Sequence, residues 1–281
     1  FSGDVGRRNK PIIEDPQRVR PADYALCEST YGDRVHPPPT DVAGRIEAVV
    51  NETVDAGGNI VIPSFALERA QELLYHLHDL RRARRIPPLT VFLDSPMAIR
   101  ITRVFQEHPE LYDEAMRQAV AAGRSPFDFP GLQMTESTDA SKAINRIHGS
   151  AIIIAGSGMC TGGRIKHHLV NNIRRRESTL LFVGYQAVGT LGRILVDGID
   201  EVRIHGRMHP VEARIEQVHG LSAHADRNEL LRWLRGLGPD PRQVFVVHGE
   251  AGRAEQFADF LREQTGWDVA VPDYQQRMSL S

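Results

Sequence analysis

Four ionisable residues stand where an apolar run stops or a glycine turn begins. They are Asp4 in Phe-Ser-Gly-Asp-Val-Gly-Arg, Glu28 in Cys-Glu-Ser-Thr-Tyr-Gly-Asp-Arg, His224 in Gly-Leu-Ser-Ala-His-Ala-Asp and His248 in Val-Phe-Val-Val-His-Gly-Glu. Turns at the carboxyl ends of strands are where α/β proteins hold their ligands. An imidazole directly after Val-Phe-Val-Val and before a glycine suits metal ligation, because neutral imidazole binds zinc at about 2.0–2.1 Å. Taken singly, each of these residues reads more readily as a hydrogen-bonded core group. An aspartate and two turn histidines together point to hydrolysis at a metal-activated water.

A second kind of chemistry is written in glycine. Gly156-Ser157-Gly158-Met159-Cys160-Thr161-Gly162-Gly163-Arg164 falls between a strand pattern and a helix pattern. Its backbone N–H groups and the helix N-terminus could cradle a phosphate, or the turn could be only a tight connection. The Walker Gly-Lys-Ser/Thr ending and the Rossmann glycine spacing are both missing. Gly189-Thr190-Leu191-Gly192-Arg193 repeats the design, and two such turns trailed by arginine favour a polyanionic substrate. There is no Gly-x-Ser-x-Gly elbow and no helical His-Glu-x-x-His. His76, His78, His167 and His168 read as surface histidines.

The elements that must position these residues follow from periodicity. Residues 22–27 form a short strand, and after the linker-like Pro37-Pro38-Pro39 a helix starts at Thr40 or Asp41 and stops at Gly57-Gly58. Residues 59–63 read as a buried strand and 66–85 as a helix with Leu67, Ala70, Leu73, Leu74 and Leu77 on one face. A strand over 89–93 and helices over 96–107 and 110–122 precede a polar, proline-bearing stretch. The alternation resumes with strand 151–155, a helix from Arg164, strand 179–183 and helix 190–196. A hairpin over 201–219, helix 227–234, strand 244–247, helix 252–261 and two short terminal strands complete the pattern. Strands alternating with helices predict a parallel, two-sided α/β sheet.

Composition narrows the field. The chain has 281 residues, 41% apolar and 25% charged, which excludes a disordered, collagenous or disulfide-stapled protein. Cys27 and Cys160 stand far apart with no C-x-x-C, so neither a thiol redox motif nor a cysteine zinc knuckle is supported. No apolar window approaches the length of a membrane span and the first residues lack a signal-peptide pattern, so a cytoplasmic protein without membrane attachment is expected. A net charge of -2 argues against a generally basic surface but leaves room for a local basic cleft. The near-exclusive use of arginine over lysine reads as codon composition.

The motifs, joined by Asp94-Ser95-Pro96-Met97-Ala98 and Gly184-Tyr185-Gln186-Ala187-Val188, stand in an order that resembles the β-CASP branch of the metallo-β-lactamase superfamily. The resemblance covers essentially the whole chain. It implies an α/β architecture in which residues 1–35 and 208–281 belong to a metallo-β-lactamase αββα domain and residues 36–207 form an inserted parallel-sheet β-CASP domain. By position, Asp4 resembles the carboxylate bridging two zinc ions and His248 the late histidine that completes the second zinc. Glu28 and His224 resemble the acidic residue and the histidine it orients beside the scissile phosphate. Ser157, Gly158, Arg164 and Arg193 would contact substrate phosphates. A glutamate beside an imidazole favours imidazolium, which can give a proton to a leaving oxygen.

The implied activity is a zinc-dependent ribonuclease acting on RNA phosphodiester bonds, as endonuclease, 5′ exonuclease or both, in RNA processing or decay. The late histidine leans towards RNA, since the branch's DNA-repair members typically carry an apolar residue there. A small-molecule metallohydrolase and a non-catalytic RNA-binding scaffold are the alternatives, and a homodimer is compatible with all three. The family's H-x-H-x-D-H motif and the separate histidine ahead of the aspartate motif belong upstream of Phe1. The expectation is therefore of a C-terminal fragment preceded by roughly 180 residues, inactive alone because a catalytic zinc needs about three protein ligands.

Overall fold

The computed structural model describes residues 1–36, 41–147, 149–238 and 241–280, so the proline run at 37–39 lies outside the described residues. In chain order the elements begin with β1 (Tyr24–Glu28), α1 (Val42–Asp55), β2 (Ile60–Pro63), α2 (Arg69–Arg82), β3 (Thr90–Leu93) and α3 (Pro96–Glu107). Next come α4 (Glu114–Ala121), β4 (Leu132–Met134), α5 (Thr138–Ile144), β5 (Ala151–Ala155), α6 (Ile165–Asn172), β6 (Thr179–Phe182) and α7 (Leu191–Val196). Then follow β7 (Glu201–Ile204), β8 (Arg207–Pro210), β9 (Arg214–Gln217), α8 (Arg227–Leu234), β10 (Gln243–Val247), α9 (Ala251–Thr265) and β11 (Val269–Ala270). Two compact units result: Phe1–Lys10, Glu14–Pro38 and Ala223–Ser281 make the first, and Pro11–Ile13 with Pro39–Ser222 the second.

In the second unit the apolar runs β2, β5 and β6 are buried throughout, as central strands of a two-sided parallel sheet must be. The sheet runs β4-β3-β5-β2-β6-β9 among the described residues, with every neighbouring pair parallel. Alternation along each strand sorts side chains to opposite faces. Ile60, Ile62, Ile152 and Ile154 meet Leu73, Leu74 and Leu77 of α2 and Ile99 of α3. Val61, Ile153, Leu180 and Phe182 meet Ile165 and Leu169 of α6 and Leu195 of α7 on the other side. Each such side chain contributes about 1.5–3 kcal/mol by leaving water. Ser95 caps α3 by accepting from the Ala98 N–H, with Pro96 in the first turn.

The first unit holds the parallel sheet β1-β10-β11. Its register sets Glu28 opposite Val247, one residue before His248. Leu230 and Leu234 of α8 and Phe257 and Leu261 of α9 pack with Ala25, Cys27, Val244 and Val246 of the strands. Asp226 starts α8 through a reciprocal capping box with Glu229.

Several expectations are corrected. The span read as one hairpin over 201–219 is a hairpin only for β7 and β8. β9 instead adds in parallel to β6, where Arg214 and Glu216 tolerate an edge position. The polar stretch after Pro130 contains edge strand β4 and helix α5, the latter capped by Ser137. The helix expected from residue 66 begins at Arg69, after Glu68 in a left-handed conformation at φ 63°. Of the two terminal strands, β11 is present among the described residues. His168 is buried rather than on the surface, because Asp94 waits for it at the end of β3.

Candidate metal and acid–base centre

Segment Val5–Arg7 lies antiparallel to Ala223–Ala225: Gly6 bridges His224, the Ala225 N–H donates to the Val5 carbonyl at 2.8 Å, and the Arg7 N–H to the Ala223 carbonyl at 3.0 Å. This local pairing and the β1–β10 register bring Asp4, Glu28, His224 and His248 together within the first unit. The buried Glu28 carboxylate is held by three donors: the Val5 N–H at 2.6 Å on Oε1, and the Thr30 hydroxyl at 2.5 Å and His224 Nδ1 at 2.9 Å on Oε2. Burial raises the Glu28 carboxyl's pKa, but the hydrogen bonds and charge from His224, with those of Thr30 and Val5, outweigh it and leave the group below the usual carboxylate range. His224 meets Glu28 through Nδ1, and its side chain is 27% exposed. His36 presents Nε2 to the His224 carbonyl at 3.1 Å and donates its backbone N–H to Asp226 at 2.8 Å, bracing the loop that carries His224.

Asp4, Glu28 and His248 each place a ligand atom within 4.8 Å of the others, and no other such trio occurs among the described residues. His248 follows β10 in a left-handed conformation at φ 53°, and its Nδ1 lies 3.5 Å from Asp4 Oδ1. Two ligands of one tetrahedral zinc stand about 3.4 Å apart, so this pair fits a shared metal. Both residues are exposed. Glu28, buried and already holding three donors, is better suited to fixing His224 than to ligation. The chemistry of the donor set therefore fits part of a zinc site, short of the three or more protein ligands such a site needs.

The second unit holds the remaining predicted residues. Ser157 Oγ accepts from the Thr161 and Gly162 N–H groups at 3.1 and 3.3 Å, so part of the turn's donor set closes on itself. Gln186 donates to the Gly158 carbonyl at 2.9 Å and the Gly192 N–H to the Met159 carbonyl at 3.1 Å, tying the two glycine-rich turns together. Arg193 lies on the surface beside Asp197 at 2.8 Å. Arg164 departs from the expected phosphate contact. Its guanidinium turns inward to Asp94 at 2.7 Å and to the carbonyls of Thr135 and Glu136 at 2.8 and 2.6 Å.

Asp94 is the residue whose part the sequence does not reveal. It is fully buried, and besides Arg164 it accepts from Ser141 at 2.6 Å and lies 2.6 Å from His168 Nε2. Burial raises its pKa, yet the hydrogen bonds from His168, Ser141 and Arg164 prevail and hold it below its ordinary value. Its place inside Asp-Ser-Pro-Met-Ala was the available signal, but the partners arrive from α5, α6 and the glycine-rich turn.

Comparison with known proteins gives a consistent picture. The family model described as the Beta-Casp domain matches residues 70–195, and that of a Zn-dependent metallo-hydrolase RNA specificity domain matches residues 208–272. A protein named ribonuclease from Thermus thermophilus is 41% identical over 250 residues, 89% of this chain and 57% of the relative. Transcription termination factor FttA of Methanocaldococcus jannaschii is 32% identical over 97% of this chain and 44% of its own length. An RNase J-like protein of the same organism is 27% identical over 92% of this chain and 59% of its own length. The chain thus spans about half the length of the curated relatives it matches. No helix among the described residues is long and apolar enough to cross a membrane.

Proposed function

Because the chain belongs to the β-CASP family of the metallo-β-lactamase superfamily, we propose that it is the part of a zinc-dependent ribonuclease that carries the acid–base pair and some of the metal ligands. The observation that carries this reading is the contact of His224 Nδ1 with the buried Glu28 carboxylate at 2.9 Å, beside the Asp4–His248 pair. Asp4 and His248 would hold zinc, with two ions completed by further ligands. When bound, the metal supplies a nucleophile at neutral pH and positive charge against the phosphate.

The chain's own residues do the rest. Glu28 fixes the His224 ring through Nδ1 and favours its charged form, leaving a proton at Nε2. His224 gives that proton to the departing oxygen of the RNA backbone, so the leaving group departs as an alcohol rather than an alkoxide. Ser157, Gly158 and Arg193 steady the backbone on the second unit, while Arg164 supports their turn from within. Endonucleolytic and 5′ exonucleolytic cleavage both follow from this chemistry, and RNA processing or decay in the cytoplasm is the matching role.

The test is cleavage of end-labelled single-stranded RNA by the intact protein, with zinc counted per molecule. Zinc-dependent hydrolysis that a chelator abolishes and zinc restores supports the reading. RNA binding without hydrolysis at full zinc occupancy would overturn it and make the protein a scaffold.

A further inference from the structure

Phe65 lies two residues beyond β2 and keeps 41% of its surface exposed, although segments after two other strands approach its ring closely. A Cβ at Gly158 would come within 2.6 Å of the ring's Cδ2, and one at Gly184 within 3.5 Å of its Cε2. Gly158 follows β5 and Gly184 follows β6, so both strand ends lack a side chain where this ring lies. Surface phenylalanines are ordinary. A ring seated by two glycines yet left partly open is different, since burying its remaining surface would stabilise the fold further.

Topology gives the position its meaning. β2 and β5 are parallel neighbours, with Pro63 beside Ala155 at their carboxyl ends. The chain then leaves them in opposite directions: α2 packs on one face of the sheet and α6 on the other. That divergence opens a crevice outside the strand ends, the place where open α/β sheets take ligands. Phe65 and Gly158 lie together at these strand ends, the ring resting against the glycine. Arg164, the nearest trailing cation in the sequence, is turned inward to Asp94. What Phe65 offers there is a partly exposed flat apolar face, suited to a heteroaromatic ring.

We propose that Phe65 is a stacking platform for one nucleobase of single-stranded RNA at this crevice. The proposal rests on the ribonuclease reading. Unpaired bases stack on aromatic side chains with little dependence on sequence, because every base has a π-face.

The experiment titrates fluorescein-labelled single-stranded RNA with the intact zinc-loaded protein in a His224→Ala background, so that the RNA stays whole. A series of the same RNA with one abasic position at a time is run alongside. Phe65→Leu should weaken binding about 5- to 100-fold, and one abasic position should cause a similar loss in the Phe65 protein but none in Phe65→Leu. Phe65→Trp should retain affinity and show fluorescence quenching on RNA addition, read as the difference from the Phe65 protein, which already holds Trp233 and Trp267. Unchanged affinity in Phe65→Leu, or no abasic position that matters to the Phe65 protein, would overturn the platform while leaving the ribonuclease reading in place. Altered oligomeric state with unchanged RNA affinity would assign the ring, with exposed Leu67 and Met97, to a protein contact and likewise overturn it. No RNA binding by the Phe65 protein at all would remove the underlying reading, and the platform with it.

Discussion

The two units each contain a histidine paired with a carboxylate at a strand end, and the pairs have opposite characters. His224 meets Glu28 at 2.9 Å and His168 meets Asp94 at 2.6 Å. His224 is 27% exposed beside the open Asp4 and His248. His168 is 1% exposed, with Nδ1 buried and lacking a hydrogen-bond partner, and its carboxylate also gathers Ser141 and Arg164. A histidine–carboxylate contact therefore does not by itself mark catalysis. The buried pair acts as a post that joins β3, α5, α6 and the glycine-rich turn, whereas the other lies beside Asp4 and His248.

Substitutions can break this contrast directly. The largest effect is expected at the open pair, where His224→Ala should slow RNA cleavage by roughly 10²–10⁴-fold while zinc content and the denaturant midpoint stay close to those of the unsubstituted protein. Asp94→Ala should do the reverse. Leaving Arg164 and His168 without their buried counter-charge should lower unfolding free energy by about 3–5 kcal/mol, measured by denaturant titration. If instead Asp94→Ala leaves stability unchanged, the buried pair is no post.

A double substitution sharpens the open side. If Glu28 acts only through His224, then Glu28→Gln with His224→Ala should slow cleavage little more than His224→Ala alone. Rate losses that multiply would give Glu28 an independent task, such as metal ligation.

Acid distinguishes the buried side more gently. The Asp94 carboxyl titrates below its ordinary value, because His168, Ser141 and Arg164 together outweigh its burial. A depressed folded value gives stability that is present above the unfolded value of about 3.9 and is lost as pH falls through the folded one. Unfolding free energy should therefore drop more steeply below about pH 4 than in Asp94→Asn, as denaturant titrations at stepped pH would show. Equal slopes would mean that the carboxylate contributes nothing as an ion.

The smallest effect is expected at the thiols. Burial pushes Cys27 and Cys160 up to about 12. Alkylating reagents should thus label neither thiol in the folded protein and both after denaturation, by mass spectrometry.

What was legible in the sequence follows the range of the interactions involved. Glu28 and His248 close apolar strands, and the glycine-rich turns sit between strand and helix patterns, so local order announced them. The parallel sheet was equally plain from β2, β5 and β6, whose runs are apolar throughout. β9 is hard to tell apart in the sequence because an edge strand reading Arg-Ile-Glu-Gln resembles the hairpin before it, and its partner β6 lies well upstream. Asp94, Arg164 and His168 could not be sorted, since a charged residue looks the same whether its partners arrive from 70 positions away or from water. The open face of Phe65 is likewise a property of Gly158 and Gly184 more than of its own neighbours.

The central claim is that His224 delivers a proton to the departing oxygen. The most direct measurement compares normal RNA with RNA carrying sulfur at the departing bridging position, in the zinc-loaded protein and in His224→Ala. Sulfur leaves without protonation, so His224→Ala should recover most of its lost rate on the sulfur substrate, and the two proteins should cleave it at similar rates. An undiminished defect on the sulfur substrate would contradict the account and make His224 a ligand or a support.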